Sequence, residues 1–169
     1  MSPRAAARRG AASAKRRADL PFEVSVGYQV RMTHRALQRY LQSKIEPFGV
    51  TLGMWYLLRA LWSEDGLTQR ELSRRIGLME PTTLAAIVAM EKCGFVKRVR
   101  NRSDRRKINV LLTRKGHRLR DKLLPLAVRV VSDAVDGFSP REVDTLLRLL
   151  KGIQRNLESR AGPVAIPED

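Results

Sequence analysis

The fold is decided by LTQRELSRRIGLMEPTTLAAIVAMEKCGFVKRVRNRSDRRKINVLLTRKG, residues 67–116. Thr68 and Glu71 have the T-x-x-E spacing of a capping box, with Leu67 and Leu72 placed as its hydrophobic staple. A helix therefore starts at Thr68 and runs to Ile76, where Gly77 ends it. Pro81 suits the first position of a second helix, 81–92, because a missing N–H costs nothing there, and Gly94 closes it. Two helices joined by a tight turn containing glycine form a helix-turn-helix. FVKRVRN (95–101) and RKINVLLT (106–113) read as strands, and RSD between them offers nothing to a core, so it is a hairpin tip.

The charge is concentrated in the same place. Residues 92–122 hold 13 Lys and Arg against two acids, Asp104 and Asp121. Residues 1–18 add six basic residues and no acid, while the rest of the chain holds 14 basic and 15 acidic residues. The whole formal charge of +16 thus sits in one tail and one short stretch. Solubility alone would scatter it, and charge gathered in this way matches a polyanionic partner. A helix-turn-helix followed by a basic hairpin is a layout for double-stranded DNA.

Outward from this stretch, helical spacing continues on both sides. Residues 1–19 lack periodicity and read as a disordered basic tail. Phe22, Val26, Val30, Leu37, Leu41 and Ile45 mark a helix over about 22–46, ended by Pro47 and Gly49. Trp55, Leu58 and Trp62 share one face of a second helix from about Leu52. Thr113 caps a long helix, 114–136, which carries Pro125 inside it and should bend there. Ser139 and Glu142 form another capping box, with Phe138 and Val143 as staple, opening a last helix at 140–158. Residues 161–169 are a loose end. The expectation is a mainly α chain with a small β-wing, a single domain over 20–160, and helices 22–46 and 114–158 flanking a winged unit at about 52–113.

Composition excludes other classes. One cysteine, Cys93, allows no disulfide within the chain, and Cys93 reads as a structural residue beside the helix-ending Gly94. Two distant histidines, His34 and His117, do not make a metal site, and no metal or bound cofactor is expected. No apolar run approaches a membrane span. No nucleophile with a base, no paired carboxylates and no phosphate-binding loop point to an enzyme.

The run from Thr68 to Gly116 resembles the winged helix-turn-helix of the multiple-antibiotic-resistance-regulator (MarR) family. The family's wing pattern, D-R-R followed by L-T-x-x-G, appears as Asp104, Arg105, Arg106, Leu112, Thr113 and Gly116. With the six-helix order, the resemblance covers about residues 22–158. It implies a cytoplasmic regulator of bacterial or archaeal type. It also implies a homodimer interlocked through the first and last two helices, bound to a pseudo-palindromic operator. Val26, Leu146, Leu147, Leu150, Ile153 and Leu157 are the candidate dimerisation residues. On the last helix Val143, Leu146, Leu147, Leu150, Ile153 and Leu157 make a stripe of six large apolar residues, more than a surface helix needs.

By the same resemblance, helix 81–92 meets the major groove, with Ile87 and Met90 facing the core. Pro81, Thr82, Thr83, Ala85 and Ala89 are the candidates for the groove; Thr82 and Thr83 also suit helix-start capping. Many relatives carry Arg where this chain has Ala85, so a bidentate guanine contact is missing from mid-helix. Specificity should lean on shape and on the wing. Arg102 and Arg105 are placed for the minor groove, and Asp104 for bracing Arg106. Asn101 and Arg102 replace the family's common Asp-Pro, which predicts a less stiff tip. Lys97, Arg98, Arg100, Lys107, Arg114 and Lys115 are either phosphate contacts or a solvated basic face, and Gln69, Arg70, Arg74 and Arg75 flank them.

Members of the family are often released from DNA by a small ligand. Arg31, His34, Arg35, Trp55 and Arg59 are candidates to hold an aromatic carboxylate or its coenzyme A thioester, cations and rings suiting such an acid. The leading expectation is a repressor released by such an effector. The alternative is a non-specific architectural protein of the nucleoid type, favoured by the charge and the polar-poor groove helix.

Overall fold

The computed structural model describes residues 21–101 and 103–161. The expected tail at 1–19, Arg102 and residues 162–169 lie outside the described residues. The chain divides into two compact units, with the boundary between Val130 and Val131.

Unit one opens with a short 3-10 turn, Phe22–Val24, before helix α1, Val26–Ile45. The sequence reading ran one helix through this point. Ser25 interrupts it: its extended backbone and its Oγ, which accepts from the Tyr28 N–H, make it the N-cap. Helix α2, Leu52–Ser63, is capped by Thr51 in the same manner. Helices α3, Gln69–Ile76, and α4, Glu80–Lys92, form the helix-turn-helix. Strands β1, Val96–Arg100, and β2, Ile108–Leu112, form an antiparallel wing with Val96 opposite Leu112 and Arg100 opposite Ile108. Helix α5, Arg114–Ala134, runs through Pro125 without interruption.

The capping box predicted at α3 is present in full: Glu71 Oε2 accepts from the Thr68 N–H at 2.7 Å, and Thr68 Oγ1 accepts from the Glu71 N–H at 3.3 Å. Two N–H groups that no helix turn can reach are thereby satisfied. At the far end of α4, Gly94 takes φ +71°, and the Phe95 N–H returns to the Met90 carbonyl at 2.9 Å. That left-handed residue reverses the chain and delivers Phe95 into the core. Leu57, Leu58, Leu61, Leu72, Ile87, Met90, Phe95, Val96, Val110, Leu112, Leu119 and Leu123 form a continuous buried cluster. Each large side chain removed from water contributes about 1.5–3 kcal/mol. β1 gives Val96 to this core and exposes Lys97, Arg98, Val99 and Arg100, while β2 adds Val110 and Leu112.

Unit two contains the end of α5 and helix α6, Pro140–Ala161. Ser139 and Glu142 build the expected second capping box. Phe138, its expected staple, remains 55 % exposed. Among the described side chains of α6 none is buried, and Leu146, Leu147, Leu149 and Leu157 are exposed.

Candidate nucleic-acid interface

The wing is a two-stranded sheet with a third chain segment laid along it. Gly66 donates to the Val110 carbonyl at 3.1 Å, and Val110 donates to the Leu67 carbonyl at 2.9 Å. Asp65 Oδ1 accepts from the Leu112 N–H at 2.9 Å. The loop before α3 therefore pairs with β2, fixing the wing to the helix-turn-helix.

The L-T-x-x-G pattern has a physical basis at the base of the wing. Thr113 Oγ1 accepts from the Gly116 N–H at 3.1 Å, as a helix cap, and donates to the Gly94 carbonyl at 2.6 Å. Gly116 packs directly beneath the backbone of Phe95, where a Cβ would overlap the Phe95 carbonyl oxygen. The Gly116 carbonyl accepts from Trp62 Nε1 at 3.0 Å, bringing α2 to the same point. Lys115 Nζ donates to the Cys93 carbonyl at 2.9 Å and lies 4.9 Å from the Phe95 ring centre. Lys115 is therefore engaged in the fold rather than free for phosphate.

Arg98 is engaged as well. Glu91 accepts from the Arg98 backbone N–H at 3.1 Å and from its Nε at 2.8 Å, joining α4 to β1. The Arg98 backbone N–H, then its side chain, hold the Glu91 carboxyl below the usual carboxylate range. This link was invisible in the sequence because the two residues meet only through the turn at Gly94. Lys97 and Arg100 are exposed.

At the tip, Asp104 Oδ1 accepts from the Arg106 N–H at 3.1 Å and approaches Arg106 Nε at 3.4 Å, the expected brace. Arg105 and Lys107 are exposed, and Arg105 has no ion pair among the described residues. Asn101 adds side-chain contacts at the tip. Its Oδ1 accepts from the Ser103 and Asp104 N–H groups at 2.8 and 3.0 Å, so the tip is held by a side chain instead of a proline.

On α4, Pro81, Thr82 and Ala85 are exposed as expected, and Ala89 is half-buried against the core. Thr83 is a correction. It is fully buried, and its Oγ1 donates to the Met79 carbonyl at 3.2 Å. Thr83 lies four residues before Ile87 and seven before Met90, both buried, and this spacing already assigned it to the inner face. Sequence reading missed Glu80 and Leu84, which are exposed beside Pro81 and Thr82. Arg70 reaches Glu80 at 3.9 Å, and Gln69 Nε2 donates to the Glu80 carbonyl at 3.4 Å. Arg74 is exposed, and Arg75 pairs with Glu64 at 2.9 Å.

The candidate effector residues divide between α1 and α2. Trp55 is buried, edge-on to Trp62 at 5.8 Å, with the exposed Arg59 guanidinium 5.6 Å from its ring centre. Arg31, His34 and Arg35 are exposed on α1. Arg35 instead lines an open cavity of about 340 Å³ with Gln38, Arg39, Gln42, Ser43, Glu46 and Leu52. Among the described residues no group of His, Cys, Asp and Glu is placed to hold a metal ion, and no helix is long and apolar enough to cross a membrane.

The sequence pattern of the MarR family matches residues 50–108. The HTH-type transcriptional regulator TtmR of Methylorubrum extorquens is 30% identical over 142 residues, 83% of this chain and 71% of that protein. The crystal structure of a MarR transcriptional regulator from Methanosarcina mazei superposes with a TM-score of 0.71 at 30% identity, covering 78% of this chain and 94% of that one. A structure of BpsR from Bordetella bronchiseptica, whose DNA binding is regulated by 6-hydroxynicotinic acid, superposes with a TM-score of 0.72 at 21% identity, covering 79% and 96%.

Proposed function

The chain belongs to the MarR family of DNA-binding transcription regulators and is not an enzyme, and from that premise we propose that it is a homodimeric repressor of a pseudo-palindromic operator. The observation that carries this reading is the juxtaposition at the interface. An exposed α4 start stands with a wing whose Arg105 has no ion pair among the described residues, in a fold that has tied down Arg98 and Lys115. Pro81, Thr82 and Ala85 meet base edges, Thr82 by its hydroxyl and the others by apolar contact with thymine methyl groups. Arg105 enters the minor groove, together with Arg102. Arg106, Lys107, Arg70 and Arg74 neutralise phosphates. Descent from transcription regulators does not favour the architectural alternative.

The exposed apolar faces support the dimer. Val26 on α1 and Leu146, Leu147 and Leu157 on α6 are exposed, with Leu150 and Ile153 half-buried beside them. A second copy covers them. Two winged units then meet half-sites one helical turn apart, roughly 10 base pairs.

The effector proposed is an aromatic carboxylate or its coenzyme A thioester. The exposed Arg59 cation supports this class as a partner for a carboxylate, as does the aromatic acid that regulates the Bordetella relative. Selection from a random-sequence duplex library tests the whole reading. It predicts enrichment of an inverted repeat, and loss of its retention on adding aromatic acids. A pool that stays random contradicts the reading.

A further inference from the structure

We propose that Asn101 and Asn109 are positioning residues of the wing, a two-amide relay that sets the place of Arg105 by fastening the tip to the body of the helix-turn-helix. Four hydrogen bonds run in one sense. The Ser103 and Asp104 N–H groups donate to Asn101 Oδ1, at 2.8 and 3.0 Å. Asn101 Nδ2 donates to Asn109 Oδ1 at 2.9 Å, and Asn109 Nδ2 donates to the Gly66 carbonyl at 2.6 Å.

Each amide uses its oxygen toward the tip and its nitrogen toward the body. Reversing Asn109 would set its oxygen against the Gly66 carbonyl, so the sense of the chain is fixed. Both side chains are half-buried, where a complete polar chain is stronger and an interrupted one costs more than in open water. The relay ends outside the hairpin. Gly66 belongs to the loop between α2 and α3, so the tip takes its reference from the helices and not only from its own strands. Asn101 also sits where the ladder stops, one residue beyond the Arg100–Ile108 pair, donating its backbone N–H to the Lys107 carbonyl at 3.0 Å. Beyond that point the main-chain bond among the described residues of the segment bearing Arg105 is the turn from the Lys107 N–H to the Asp104 carbonyl, at 2.9 Å.

This inference rests on the reading that the wing tip meets DNA, and the test separates the two. Asn109→Ala, Arg105→Ala and the double variant are compared on the tightest duplex recovered from a random library and on its shuffled counterpart. Circular dichroism melts verify that each chain folds. Asn109→Ala is expected to weaken binding to the selected duplex about tenfold, with a change within about twofold on the shuffled one. In the Arg105→Ala background it is expected to cost nothing further, because the residue it positions is gone. Asn101→Ala, read in the same cycle, is expected to behave alike and serves if Asn109→Ala fails to fold. Additive losses, or equal losses on both duplexes, overturn the relay and leave the wing contact standing. An Arg105→Ala chain that binds both duplexes as the unaltered chain does overturns the wing contact, and the relay with it.

Discussion

The carbonyl oxygen of Phe95 occupies the space that a Cβ on residue 116 would need, so Gly116 and Phe95 lock the first turn of α5 against the end of the helix-turn-helix. The clash is with backbone, which cannot rotate away as a side-chain end can. Gly116→Ala is therefore expected to destabilise the protein by roughly 1–3 kcal/mol, the usual cost of overpacking. For a chain of this length that lowers the thermal midpoint by about 2–4 °C per kcal/mol. An unchanged melting curve would show that α5 shifts freely.

Thr83 and Thr82 are neighbours with opposite duties. Thr83→Val keeps the buried volume and removes the hydroxyl that bonds Met79, so DNA affinity should stay within about twofold while stability falls by about 1 kcal/mol. Thr82→Ala should do the reverse, weakening DNA binding and leaving the melt unchanged. Equal effects of the two substitutions on affinity would put Thr83 back in the groove.

Acid should loosen the fold through three carboxylates. Glu71 and Glu142 are held below the usual range, Glu71 chiefly by the Thr68 backbone N–H and Glu142 chiefly by the Ser139 hydroxyl, and Glu91 by Arg98. A carboxyl with a lowered folded pKa stabilises fully above its unfolded value, about 4.3, and that stability is lost as pH falls through the lowered folded value. Melts between about pH 6 and pH 3 are expected to show Glu71→Gln less stable than the unaltered chain at the upper end, the gap closing below about pH 4. A gap independent of pH would mean that the Glu71 charge contributes nothing.

Leu147 is half exposed on a helix with no buried side chain among its described residues. In the proposed dimer Leu147→Glu places a charge in an apolar contact, so sedimentation velocity should show the unaltered chain as a dimer and this variant as a monomer. A dimeric variant would place the interface elsewhere.

Much of this was legible in sequence because the signals are local. The T-x-x-E spacing at Thr68, Gly77 and Gly94 after their helices, and the alternation from Phe95 to Thr113 each act over a few residues, and the elements appear where these signals put them. The D-R-R and L-T-x-x-G spacings pointed to the family. What was not legible depends on chain reversal. The Glu91–Arg98 pair, the Lys115–Cys93 contact and the Asn101–Asn109–Gly66 relay join residues that only the folded wing brings together. Thr83 is different, since its spacing to Ile87 and Met90 was in plain view and the hydroxyl drew attention to the wrong face. The effector residues were chosen by chemical type, and Arg31, His34 and Arg35 lie on α1 while Trp55 and Arg59 lie on α2.

In the proposed function this chain reads a DNA sequence and does not merely bind a polyanion. Fluorescence anisotropy at about 0.15 M salt, where exposed charges are screened beyond about 8 Å, tests it most directly. The selected duplex and its shuffled counterpart are titrated in parallel. A preference of at least about 10³ for the selected duplex is expected, the range of specific regulators. Equal affinities, falling together as salt rises, would contradict it.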